Sequence, residues 1–415
     1  MFLTCLTSLA DEVEQETQTV FRKLENTAFI NYTRILKAFR QFKVSDYHLQ
    51  GSTGYGYDDQ GREILEKIYA QLFGTEKALV RGQVVSGTHA IALCLYGILR
   101  PGDELLTIQG APYDTLAEMI GIQGKSTGSL KELGVAYRQV DLLPDGNLNW
   151  DEIKKALNKK TRLILLQRSR GYRWTSSLKL TQIKEVTKFV KERFPEAIIF
   201  IDNCYGEFVD TTEPTALGVD LAAGSLLKNP GGGLAPTGGY VVGKRHLVEL
   251  AADRWTAPGI GAAIGPSLNL QRLFFQGLFL APHVVKESLK GAVFAACLFA
   301  KLGFSVSPAF NEKRTDIIQA IALGSPEKLV SFCRAIQEAS PVNTHVRPEP
   351  AKIPGYAEAI IMAAGTFVQG SSIELSADGP MRPPYIAYLQ GGLAYEHIKL
   401  AVLSAAQVLL KKGNN

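Results

Sequence analysis

The chain has 415 residues, 46% hydrophobic and 20% charged, with a formal net charge of +5. That length leaves room for two or three substructures with sizeable cores. The small, dispersed positive charge contains no Lys/Arg block of the kind that marks a nucleic-acid arm, so no nucleic-acid partner is expected.

The five cysteines, Cys5, Cys94, Cys204, Cys297 and Cys333, are odd in number and far apart, with no Cys-x-x-Cys pair. This points away from a disulfide framework or a zinc site and toward reduced thiols in the cytoplasm. The apolar start Met1–Leu6 lacks a basic flank and soon meets Asp11, Glu12 and Glu14, which makes a poor signal peptide. No apolar run reaches membrane-spanning length, so a cytoplasmic protein with no membrane partner is expected.

Taken in chain order, residues 1 to about 45 carry Val20, Phe21, Leu24, Ile35 and Phe39 at helical spacing. A Gly/Tyr-rich loop follows over Gly51–Tyr57 and suits neither helix nor strand. A helix over Gly61–Phe73 comes next, and then strand and helix signals alternate. Candidate buried strands are Lys77–Gln83, Glu104–Gln109, Arg162–Gln167, Ala197–Asp202, Ala222–Ser225 and Gly239–Gly243. Amphipathic segments over Ala90–Leu99, Thr115–Ile120, Trp150–Leu157 and Thr181–Arg193 lie between several of them.

That alternation predicts an α/β fold with a mainly parallel sheet, whose ligands sit beyond the carboxyl ends of the strands. A long helical stretch begins near Pro266. A smaller α+β region then offers strands at Gly303–Ser307, Asp316–Ala322, Glu358–Ala363 and Ile373–Glu374 and a final helix over Tyr395–Leu410. The expected organisation is an N-terminal helical segment (1–50), a large α/β domain (51–290) and a small C-terminal α+β domain (291–415).

Three constellations carry chemistry. The apolar run Ile198–Ile201 ends in Asp202, which places a carboxyl at the ligand-bearing edge of the sheet. Alone, such an acid reads as a loop or helix cap. Lys228 stands between the strand-like Ala222–Ser225 and the glycines Gly231, Gly232 and Gly233. A lysine so placed suits a Schiff base, for which a partly desolvated amine of lowered pKa is expected. Without a partner it reads as an ordinary surface lysine.

About 26 residues, one strand–helix–strand unit, separate Asp202 from Lys228. An acid and an amine on neighbouring strand ends can grip opposite sides of one flat ring, as pyridoxal 5′-phosphate (PLP) requires. Ser86, Gly87, Thr88 and His89 open the helix over Ala90–Leu99, where free backbone amides make a phosphate site; the plain reading is a Ser/Thr cap. His89 is expected close to the cofactor ring. The Gly-rich segments fit neither the P-loop nor the dinucleotide fingerprint, which makes ATP and NAD less attractive than PLP.

The stretches Asp202–Tyr205, Ser225–Lys228 and Ser86–Ala90 resemble the cofactor motifs of fold-type-I PLP enzymes of the cystathionine/methionine gamma-lyase group. Gly54–Arg62, Gln167–Tyr172 and Ser376–Tyr385 resemble most closely the methionine gamma-lyase-like branch called "aluminium resistance protein". The resemblance runs in order along nearly the whole chain.

It implies the aspartate aminotransferase-type fold, a large α/β domain with a smaller α+β one. It implies Lys228 as Schiff-base lysine and proton carrier, Asp202 on the pyridine nitrogen, and Gly87, Thr88 and Ser225 on the phosphate with Ser86 beside them. Leu227 stands where the group usually has a threonine. Tyr113 falls where the related lyases place a ring-stacking tyrosine that assists the leaving group. Tyr55 or Tyr57 would reach the phosphate of a neighbouring subunit, which implies a homodimer or homotetramer. Asp59 stands where an arginine is usual after that tyrosine, and Arg62 is the candidate to compensate. Arg382 would clamp the substrate α-carboxylate. Ser169 or Arg168 would touch the cofactor's phenolic oxygen, and Cys204 is expected to be a packed residue.

The implied reaction is β- or γ-elimination from methionine, cystathionine or cysteine, giving a thiol, a 2-oxo acid and ammonia. Transamination, decarboxylation and aldol-type cleavage use the same cofactor logic. A non-catalytic metal-stress module is the rival from another class, and the six scattered histidines give it no metal site.

Overall fold

A computed structural model of the chain describes residues 2–124, 127–353, 356 and 358–412. Helix α1 (Phe2–Gln41) buries Val13, Phe21 and Ile35 on one face. Helix α2 (Gln60–Phe73) starts at Asp59, whose side chain accepts the Arg62 amide, and stops at Gly74 in the left-handed region at φ 65°. From there strands and helices alternate: β1 (Lys77–Arg81), α3 (Gly87–Ile98), β2 (Glu104–Thr107), α4 (Asp114–Ile120), β3 (Ala136–Gln139), α5 (Trp150–Ala156), β4 (Thr161–Gln167), α6 (Leu180–Arg193), β5 (Ile198–Asp202), β6 (Leu221–Ser225) and β7 (Gly239–Gly243).

These seven strands form one sheet in the order β1-β7-β6-β5-β4-β2-β3. The run from β6 to β3 is parallel, and β7 pairs antiparallel with both β6 and β1. Alternation along β4 and β5 sends Ile164, Leu166, Ile199 and Ile201 into one core and Leu163, Leu165 and Phe200 into another. Both faces are therefore covered, which is why these strands read as continuous apolar runs.

Helix α7 (Arg245–Trp255) leads toward α8 (Gln271–Lys301), and the smaller region follows: β8 (Ser305–Ser307), β9 (Gln319–Ala322), α9 (Pro326–Glu338), β10 (Ile360–Ala363), β11 (Ser376–Pro380), β12 (Ile386–Gln390) and α10 (Tyr395–Lys412). Its five strands pair antiparallel in the order β10-β11-β12-β9-β8. Helix α8 is shared, since Phe275 and Leu278 join the core of the large sheet while Val293 and Phe294 join the core of the small one. We propose the division 1–50, 51–290 and 291–415, with α8 spanning the second boundary.

Three local expectations need correction. Ile373–Glu374 is not a strand, because the Glu374 carboxylate is occupied by the amides of Phe367 and Val368, at 2.8 and 3.0 Å. The strand begins at Ser376. Strands β3 and β12 have no counterpart in the sequence reading: β3 is an edge strand with largely exposed residues, which leaves no apolar signature. No helix of the described residues is long and apolar enough to cross a membrane.

Candidate active site

The carboxyl ends of β4, β5 and β6 lie side by side because the strands are parallel, with Gln167 opposite Asp202 and Asp202 opposite Ala223. Each strand hands the chain to a loop at that edge, bringing Ser169, Asp202 and Lys228 around one cavity of about 420 Å³. Thr88, Tyr113 and Tyr205 also line it. The Lys228 amine stands 4.1 Å from the centre of the Tyr205 ring. Asp202 accepts the Cys204 amide at 3.1 Å, which fixes one carboxylate oxygen and orients the other.

Helix α3 points its N-terminus at this cavity. Ser86 caps it by accepting the His89 amide at 3.0 Å. A β-carbon built on Gly87 would stand 3.0 Å from the Cys204 sulfur, 3.5 Å from Cβ of Ser225 and 3.8 Å from the Lys228 amine. Glycine is thus what lets the amides of this first turn approach the lysine. Cys204 is buried, and burial pushes its thiol well above the ordinary range, so it packs as a neutral group. The Ser169 hydroxyl is buried in the cavity wall without a hydrogen-bond partner. Its neighbour Arg168 points the other way, fully buried, to Asn203 at 2.8 Å and Glu213 at 3.1 Å.

Burial also raises the Tyr113 phenol well above its usual value, with Asp202 and Cys204 adding to the effect, so it remains a proton donor at neutral pH. Its hydroxyl lies 3.3 Å from that of Thr88. Arg382 lines the cavity at the rim, held by Glu358 at 3.1 Å and donating to the Tyr172 carbonyl at 3.2 Å.

The expectation for the lysine itself changes. Burial is the largest single effect and lowers the Lys228 pKa, while the negative charge of Asp202 raises it, and the net direction is upward, opposite to the lowering expected. With no cofactor or substrate in the site the free amine is therefore a cation. Covalent attachment needs the neutral form, whose fraction rises about tenfold per pH unit below the pKa. The rate at which the apo-protein takes up PLP is therefore expected to climb steadily from pH 7 to 9. Stopped-flow absorbance measures it, and a flat profile would contradict this charge state.

His89 is placed differently from its expected role. Its ring nitrogen Nδ1 accepts the Val85 amide at 3.2 Å, turning the imidazole back on its own turn, and it does not line the cavity. Tyr55 and Tyr57 are 68% and 64% exposed and stack on each other with ring centres 5.6 Å apart, outside the cavity of their own chain. Arg62 is buried and donates to the carbonyls of Gly56 and Gly265, both at 2.7 Å. It holds the Gly/Tyr-rich loop and is not a free phosphate ligand. Tyr172, in the stretch expected at the rim, lines the cavity, and so do Asp378, Tyr356 and Gln390, which sequence reasoning missed.

A parallel sheet with Asp202 and Lys228 on adjacent strand ends, facing a helix N-terminus and joined to a small antiparallel sheet, is the architecture of the PLP-dependent cystathionine and methionine lyase folds. The chain belongs to the methionine gamma-lyase family, whose model matches residues 6–410, and it is an enzyme of the lyase class.

An uncharacterized Bacillus subtilis protein, YnbB, is 54% identical over 408 residues, 98% of this chain and 97% of that one. A solved Clostridium novyi structure, described as a carbon-sulfur lyase involved in aluminum resistance, is 46% identical with a TM-score of 0.93. It covers 97% of this chain and 95% of its own. L-methionine gamma-lyase of Pseudomonas putida is 29% identical over 206 residues, 49% of this chain and 46% of that enzyme.

Proposed function

We propose that this protein is a PLP-dependent carbon–sulfur lyase that eliminates a thiol from the β- or γ-carbon of a sulfur amino acid. The observation that carries the reading is the convergence of Ser169, Asp202 and Lys228 from three adjacent strand ends on a cavity faced by the N-terminus of α3. The residues fit the cofactor on two further counts. The unpartnered Ser169 hydroxyl matches a ring oxygen, and Gly87 keeps clear the space that a β-carbon would fill.

The amides of Gly87 and Thr88, with the Ser225 hydroxyl and Ser86 beside them, would hold the phosphate. Asp202 would pair with the pyridine nitrogen and Lys228 with the aldehyde carbon. Bound there, PLP supplies an electron sink for negative charge developing at the substrate α-carbon.

The chain's own residues do the rest. The Lys228 amine takes the α-proton, and the Tyr113 phenol gives a proton to the departing sulfur. Arg382 orients the α-carboxylate with its planar guanidinium, exchanging Glu358 for the substrate. Water completes the balance, so one amino acid yields one thiol, one 2-oxo acid and one ammonia. The exposed Tyr55–Tyr57 pair supports a homodimer or homotetramer in which these rings reach a neighbouring subunit's phosphate site.

Incubating the loaded protein with methionine, cystathionine and cysteine tests the reaction. Thiol, 2-oxo acid and ammonia in equal amounts are expected from at least one of them. An amino-group transfer or carbon dioxide release without thiol would replace elimination by transamination or decarboxylation.

A further inference from the structure

The cavity wall carries a carboxyl that the elimination chemistry leaves unused. Asp378 sits on β11 and lines the cavity. Its side chain is hydrogen-bonded to the Tyr172 hydroxyl and accepts from Gln390 Nε2 at 3.1 Å. Aromatic rings frame it: Tyr172 lies 5.9 Å from Tyr356 and 5.2 Å from Tyr388, centre to centre, and all three line the cavity.

Among the described residues no lysine, arginine or histidine forms an ion pair with Asp378. The arginines of the same wall are engaged elsewhere. Arg382 is held by Glu358, Arg170 donates to the Ser307 carbonyl at 2.9 Å, and Arg173 donates to the carbonyls of Arg170 and Gln109. Burial pushes the Asp378 carboxyl up to about 7, against the opposing pull of the Tyr172 hydrogen bond. A shielded carboxyl without a counter-charge is costly to ionise, and a cation brought into contact would offset that cost. Tyrosine faces add attraction for an ammonium group through their quadrupoles.

We propose that Asp378 is the specificity residue of this pocket. Its carboxylate, within the Tyr172–Tyr356–Tyr388 wall, receives a protonated amine carried on the sulfur substituent of the substrate. The preferred substrates are thioether amino acids whose leaving half ends in an ammonium group. Those with a short neutral alkyl tail are poorer. This inference rests on the lyase reading for its chemistry, but binding tests it independently of turnover.

S-(2-aminoethyl)-L-cysteine and S-propyl-L-cysteine have tails of similar length and differ in charge. Equilibrium binding and kcat/KM of both are measured on the PLP-loaded protein, wild type and Asp378→Asn. The wild type is expected to favour the aminoethyl compound at least about tenfold. The substitution is expected to weaken that compound about 30- to 100-fold, the lower end of the range for losing one partner of a shielded charge pair, and to change the propyl compound less than about threefold.

Equal binding of the two compounds by the wild type overturns the proposal whether or not the variant folds. An equal loss of both in Asp378→Asn overturns it too, and would make Asp378 a general structural residue. If neither compound is cleaved but the aminoethyl preference persists, the lyase reading fails and the assignment of Asp378 stands. If both are cleaved with equal efficiency, the reverse holds.

Discussion

Lys228→Ala is expected to reduce lyase activity by about 10³-fold or more and to leave a folded protein unable to hold PLP covalently. A positioned general base alone contributes about 10² to 10⁴ in rate. In the proposed mechanism Lys228 combines that role with covalent attachment, so one substitution removes both. Among the described residues the other basic side chains lining the cavity are Arg170, Arg173 and Arg382, and a guanidinium offers donors but no acceptor for a proton. The strands on either side are held by ladder hydrogen bonds and apolar cores that do not involve the lysine. Thermal unfolding measured beside kcat separates loss of chemistry from loss of fold. Activity within tenfold of wild type would contradict the role.

Asp202→Asn should lower kcat by about 10² to 10³-fold with little structural change. The amide oxygen of asparagine can still accept the Cys204 amide, so the local turn survives. What is lost is the negative charge that keeps a pyridine nitrogen protonated, and with it much of the electron-sink strength. A single-turnover rate is the proper measure, because it excludes product release. A rate within threefold of wild type would mean that Asp202 holds no ring nitrogen.

The two residues behind these predictions were legible for a physical reason. Asp202 ends β5 and Lys228 follows β6 by three residues, and such strands, buried on both faces, announce themselves as apolar runs that stop abruptly at a polar group. The helix start at Ser86 was legible through its cap and glycine. Other parts were hidden for equally physical reasons. Strand β3 lies exposed at the sheet edge, so its pattern carries no burial signal.

Asp378 lies within the stretch that carried the family resemblance, yet nothing local marks it. It becomes a site residue only when β11 folds beside β12 and Gln390, and when Tyr172 arrives from the distant β4 loop. Tyr205 adopts a left-handed backbone, φ 71°, an uncommon choice for a non-glycine that no propensity predicts. His89 opens α3 as expected, but its ring accepts the Val85 amide within its own turn and is not among the residues lining the cavity. Lys228 was legible as a lysine following a buried strand, but the direction of its pKa shift was not, since its neighbours in space are not its neighbours in sequence.

The central claim is that PLP is carried on Lys228. Visible absorption of the purified, PLP-loaded protein, followed by borohydride reduction and peptide mapping, tests it most directly. The account predicts a band near the visible edge that borohydride removes, with the reduced pyridoxyl group recovered on the peptide containing Lys228 and absent from Lys228→Ala. A pyridoxyl label on any other lysine, or a wild-type protein that binds no PLP, would contradict it.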